Sequence, residues 1–165
     1  MSGCGTPADK GTNGGDDEKL PLEGELTEII EDIYGITGID QSIAVETVPI
    51  DLTNTDSVRY NMGLEDVSKV KEAVVSEALI SSQAYSMVLA RVNDASDAEE
   101  LAKEMKEGID QQKWICVVAD DISVVTYDDV VMLIMVSSAM EDVTTSKAAT
   151  DAFKKICGHD FDVVL

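Results

Sequence analysis

Aromatic residues are scarce in this chain: tryptophan, tyrosine and phenylalanine together make up 4% of 165 residues. A core with so few rings must be built from Val, Ile, Leu, Met and Ala, and a hydrophobic content of 44% is enough to supply one. Global disorder is thereby excluded. Basic residues are few as well, 12 against 33 acidic ones, for a formal net charge of -21. A field of that sign repels phosphate backbones and anionic headgroups, so nucleic-acid binding and polybasic membrane docking are disfavoured. Solubility is the simplest account of such acidity; cation binding or a basic partner is the functional alternative. Long apolar runs are missing too. The longest, Val130 to Val136 ("VVMLIMV"), falls far short of the roughly 20 residues that span a bilayer. No apolar signal segment precedes Cys4, as expected of a chain whose signal peptide has been removed.

Cys4 itself calls for an explanation, because it precedes a stretch with no means of folding. Ser2-Gly3-Cys4 matches the last three positions of a bacterial lipobox, with Met1 where Leu is usual. Small residues let the signal peptidase close on the backbone, and the thiol becomes the diacylglycerol thioether. Gly5 to Lys19 follows, rich in Gly, Asp, Lys, Thr and Asn and without a large apolar side chain. Such a segment cannot offset its ordering entropy and reads as a tether reaching about 20 Å. The expected organisation is a lipoprotein tether over 1-19 and one globular domain over 20-165. Diacylglycerol on Cys4 would supply the two acyl chains that stable anchoring takes. The membrane, reached through that lipid, is the first expected partner, and the extracytoplasmic face of the cell membrane the expected location.

Periodicity gives the fold class. Leu22, Leu26, Ile29, Ile30 and Ile33 recur at helical spacing, with Gly35 as the expected stop. "SIAVETVPI" reads as an extended edge segment, because Pro49 cannot donate to a ladder. "SVRYNMG" reads as a short strand, and Leu64, Val67, Val70 and Val74 as one face of a short helix. "EALISS" and "AYSMVLARV" read as strands, the second with Val88, Ala90 and Val92 on one face. Ser96 with Glu99 forms a capping-box pattern ahead of a helix buried through Ala98, Leu101, Ala102, Met105 and Ile109 and ending at Gly108. "KWICVVA", "ISVVTY" and "VVMLIMV" read as a three-strand meander turning at Asp120-Asp121 and Asp128-Asp129. The last run, apolar at every position, is expected to be central and covered on both faces or nearly so. A closing helix over Val143 to Cys157 stops at Gly158, and "HDFDVVL" offers a final short strand. The class is α+β, two-layer, with a mainly antiparallel sheet and helices packed on one face.

Chemistry is harder to find. The single histidine, His159, follows a helix stop, where a solvent-exposed role is the rule. No nucleophile elbow, zinc helix, P-loop or dinucleotide fingerprint occurs, so no catalytic residue, metal site or cofactor is assigned. "NDASDAEE" has calcium-type ligands without the glycine bend, and a capped helix explains it better. Cys116 and Cys157 lie in apolar patterns without metal-ligand spacing. They read as small buried hydrophobes; a disulfide between them is the alternative in an exported protein. The unusual stretch is "SEALISSQAYSMVLARV". Ser76, Glu77, Ser81, Ser82, Gln83 and Tyr85, with the lone indole of Trp114, are the candidates for a ligand or partner surface. A tight strand corner and a core lid are the plain structural alternatives.

The same stretch carries a resemblance. Gly63, Glu72-Ala73, Ser76-Glu77, Ser81-Ser82, Ala84, Leu89, Arg91-Val92, Asp94, Asp97-Ala98, Asp110 and Lys113-Trp114-Ile115-Cys116-Val117 fall in a diffuse pattern. It resembles an uncharacterised family of Gram-positive bacterial lipoproteins, domain of unknown function 4358, although Met62 stands where that pattern has Leu. The resemblance implies membrane anchoring and no particular activity. The reading is therefore a non-enzymatic, extracytoplasmic lipoprotein that binds an unknown protein or small-molecule ligand. The alternatives are a surface assembly protein pairing through an exposed strand edge and, less favoured, a small hydrolase joining carboxylates such as Glu77 and Asp120.

Overall fold

The computed structural model describes residues 19-165; Cys4 and nearly all of the expected tether lie outside the described residues. Eleven principal elements follow in order: α1 (Leu26–Thr37), α2 (Ile39–Ser42), β1 (Val45–Pro49), α3 (Thr55–Met62), β2 (Val70–Ala78), β3 (Tyr85–Val92), α4 (Ala98–Gly108), β4 (Asp121–Tyr127), β5 (Val130–Val136), α5 (Ser146–Cys157) and β6 (Val163–Val164). The class is α+β, and the six strands form one antiparallel sheet in the order β1-β2-β3-β5-β4-β6.

Side-chain alternation along the strands builds two apolar clusters. Tyr85, Met87, Leu89, Met132 and Ile134 pack with α1 and α5, against Ile29, Ile30, Ile33, Ala152 and Phe153. Val88, Ala90, Val131, Leu133 and Met135 point the other way, onto Leu101, Ala102 and Met105 of α4 and Val58 and Met62 of α3. Helices thus lie on each face of the sheet rather than being gathered on one. The cause is visible in β5, which is buried at all its positions and would expose half its apolar side chains if one face were bare.

Several local expectations are corrected. Gly35 lies inside α1, and the stop is Gly38 at φ 69°. "SVRYNM" is helical, because Asn54 caps it by accepting from the Ser57 N–H and Gly63 closes it at φ 69°. The helix expected over 64-74 is instead the approach to β2 and the first half of that strand. A bulge between Val70 and Glu72 puts Val70 on the same face as Ala73 and on the opposite face from Val74, so valines that read as one helical face are split between the two sides of the sheet. Ahead of α4, Asp94 caps a short 3-10 turn (Ala95–Asp97) by accepting from the Ser96 N–H and hydroxyl, Asp97 at the N-cap of α4 makes no side-chain cap bond, and Glu99 pairs with Lys103. "KWICVVA" is a loop: Gln111 and Ala119 bond to each other across its neck, and Ile115 is 93% exposed. The expected turn at Asp120-Asp121 is consequently absent, and those carboxylates accept from Ser138 and Ser146 instead. Cys116 is exposed rather than buried, Cys157 is buried, and both thiols are free.

Candidate functional site

One end of the α4 face brings a buried lysine together with a carboxylate and two aromatic rings. Residues 111-119 leave α4 and fold back over the sheet, delivering Lys113 to a site made by β2, β3 and α3. Glu77 and Ser86 are cross-strand partners there, side by side on that face. The Lys113 side chain is 2% exposed. Its Nζ donates to Glu77 Oε2 at 2.7 Å, lies 3.4 Å from Ser86 Oγ, and sits 4.2 Å and 5.0 Å from the ring centres of Tyr60 and Trp114. An ammonium out of water needs such compensation, and here a carboxylate and two ring faces provide it. Burial pulls the Lys113 pKa below its ordinary value, and Glu77 resists that fall. Burial, reinforced by the adjacent Glu77 charge, raises the Tyr60 phenol above its own.

Beside this pair a groove of about 300 Å³ runs along β1. Its walls include Glu46, Val48, Tyr60, Glu77 and Leu79. Val48, Tyr60 and Leu79 are exposed, with Leu79 at 62%, and Ile80 continues the apolar surface into the β2–β3 turn. Neighbouring exposed side chains of this kind are a mark of an interaction surface, whereas isolated ones are ordinary.

The candidates from the sequence divide among three places. Glu77 and Trp114 are in the Lys113 site, although the indole is 6% exposed and serves as a lid on the α4 core. Ser81 and Ser82 are exposed in the turn between β2 and β3, and Gln83 is half-buried beside them. Ser76 and Tyr85 lie on the opposite face and are buried. There the Tyr34 hydroxyl donates to Ser76 Oγ at 2.5 Å, Thr47 donates to the same oxygen at 2.8 Å, and Tyr85 donates to Tyr34. These two are core residues, not surface. Cys4 lies outside the described residues. The candidates read from the sequence did not include Lys113, Tyr60 or Val48; the signal available was a lysine at the head of the apolar run Trp114 to Ala119.

The site has little to offer catalysis. Ser86 is fully buried, so its proximity to Lys113 gives no nucleophile that substrate can reach. Of the carboxylates named for the hydrolase alternative, Glu77 is held by Lys113 and Asp120 by Ser138. Among the described residues no group of three His, Cys, Asp or Glu side chains gathers as a metal-ligand set. Nor is any described helix long and apolar enough to cross a membrane. Comparison with family models, curated proteins and solved structures found no match.

Proposed function

We propose that this chain is a lipid-anchored, non-enzymatic interaction module at the outer face of the cell membrane, tied through Cys4 and receiving a protein or small-molecule ligand at the groove beside β1. The observation that carries the reading is the grouping of Val48, Tyr60 and Leu79 as exposed apolar walls of one groove. The Lys113–Glu77 pair beneath them pins the loop that holds Ile115 in water. Support for the anchor comes from Ser2-Gly3-Cys4, the tether composition and the lipoprotein-family resemblance.

The test uses the full chain expressed from its natural gene, with Cys4→Ala alongside and a photo-crosslinking residue placed at position 79 or, as control, at Lys147 on α5. A diacylglycerol-sized mass increment and membrane fractionation, both lost in Cys4→Ala, are expected. Crosslinked products should form from position 79 and not from 147. Unmodified protein in the cytosol would remove the anchor, and equal crosslinking from both positions would remove the groove.

A further inference from the structure

We infer that β1 accepts an additional strand, and that its occupant is an extended peptide segment of alternating apolar and basic side chains. The inference rests on the interaction-module reading and names its partner. It starts from the ladder. Leu79 N–H donates to Ala44 and Ile50 N–H to Ala73, so the even-numbered residues of β1 turn their backbone groups toward β2. Val45 and Thr47 therefore turn theirs outward, and among the described residues no strand pairs with that edge. Folded proteins usually blunt an open edge with lysines, bulges or a covering segment. Here Pro49 does so, by offering no N–H, and it limits the ladder to Val45 and Thr47, while the charge of exposed Glu46 restricts which strands can pair.

Side chains decide who comes. Glu46 is directly opposite Glu77. Glu77 is already engaged by Lys113, whereas Glu46 has no basic partner among the described residues. Like charges facing each other across a ladder are unfavourable, and a cation arriving opposite Glu46 relieves them. A second copy of β1 would bring the same glutamate and a further formal charge of -21. Charge thus selects a basic segment of another molecule over self-pairing. Two residues along on the same face, Val48 is 40% exposed and calls for an apolar neighbour. Backbone bonds supply affinity in this mode, and alternate side chains supply selectivity.

The probe is a synthetic peptide, acetyl-Thr-Val-Thr-Lys-Thr-Val-Thr-amide, titrated into the full chain while amide exchange is followed by NMR. Val45 and Thr47 amides should exchange quickly in the free protein and slow by about tenfold at saturation. N-methylating the two threonines that flank the lysine should abolish the effect, since those amides face the edge. Glu46→Lys should weaken the peptide by about fivefold and favour its Lys-to-Glu counterpart. Slow exchange already present in the free chain would overturn the inference by showing the edge covered, and sedimentation would tell a second copy from the chain itself. Binding that leaves both amides unprotected, or that ignores the sign of charge, would also overturn it. If the peptide fails while crosslinks from position 79 persist, the strand inference falls and the module reading stands. If the peptide pairs but Cys4 carries no lipid, the anchor falls instead.

Discussion

At the scale of single residues, Arg91 shows how one side chain can fix a boundary. Its guanidinium donates to Asp129 at 2.9 and 3.1 Å, to the Leu22 and Gly24 carbonyls at 2.9 Å each, and to Glu72 at 3.2 Å. The segment entering α1 is thus tied to the β4–β5 turn by a planar fork that lysine cannot reproduce. Arg91→Ala should cost about 2–3 kcal/mol in urea unfolding, with Arg91→Lys recovering only part; equal stability of the lysine variant would show that fork geometry is unimportant. Two glycines make a second contrast. A Cβ on Gly108 would lie 2.0 Å from the Gly63 carbonyl oxygen, so Gly108→Ala forces backbone apart and should cost about 3 kcal/mol or more. Gly35 lies inside α1 with nothing within 4 Å of such a carbon, and Gly35→Ala should stabilise by about 0.5–1 kcal/mol. Thermal melts of the two variants should move in opposite directions. The sequence marked both positions as helix ends but could not separate them, because the close approach of Gly63 and Gly108 joins segments distant in the chain.

Among the elements, the 111-119 loop depends on a single latch. Lys113→Ala would leave Glu77 without its cation and Tyr60 and Trp114 without the ammonium between them. Faster amide exchange confined to the loop is expected, with a loss of about 1–3 kcal/mol; unchanged exchange would mean that Trp114 alone holds the loop. Cysteine chemistry reports on the same loop. In a Cys4→Ser background, exposed Cys116 should react with a thiol reagent in the folded state and Cys157 only on unfolding. Burial raises the Cys157 thiol to about 12 from an ordinary value of 9.0. The folded chain therefore holds that proton where the unfolded chain releases it. The resulting stability is fully present below about pH 9 and is lost as pH rises toward about 12, at about 1.4 kcal/mol per pH unit. Cys157→Ala should show a correspondingly shallower decline in alkaline unfolding curves. Helices α1, α4 and α5 were legible because their buried residues recur at helical spacing and are not interrupted. The stretch from 55 to 78 was not, since a cap at Asn54 and a bulge after Val70 outweighed local preference there.

For the whole molecule, charge is the dominant global property. A formal net charge of -21 opposes compactness through self-repulsion. Salt shortens the screening length from about 30 Å at 0.01 M to about 3 Å at 1 M. The melting temperature should therefore rise with sodium chloride, and a flat or falling response would mean that local ion pairs such as Lys69 with Glu100 outweigh the overall field. The same repulsion bears on association, since two copies meeting at β1 must overcome it whereas a basic partner does not.

Composition and patterning by themselves determined the α+β class, the edge character of the Pro49 segment, the central place of the run from Val130 to Val136, and the acidic surface. Each of these follows from side-chain chemistry that acts locally or summed over the chain. Tertiary structure alone decided which helices cover each face of the sheet, that Ser76 and Tyr85 are core, and that Lys113 is buried against Glu77 beside an open groove. Those features arise from residues far apart in sequence meeting across the sheet, where burial and pairing, rather than propensity, set the energy.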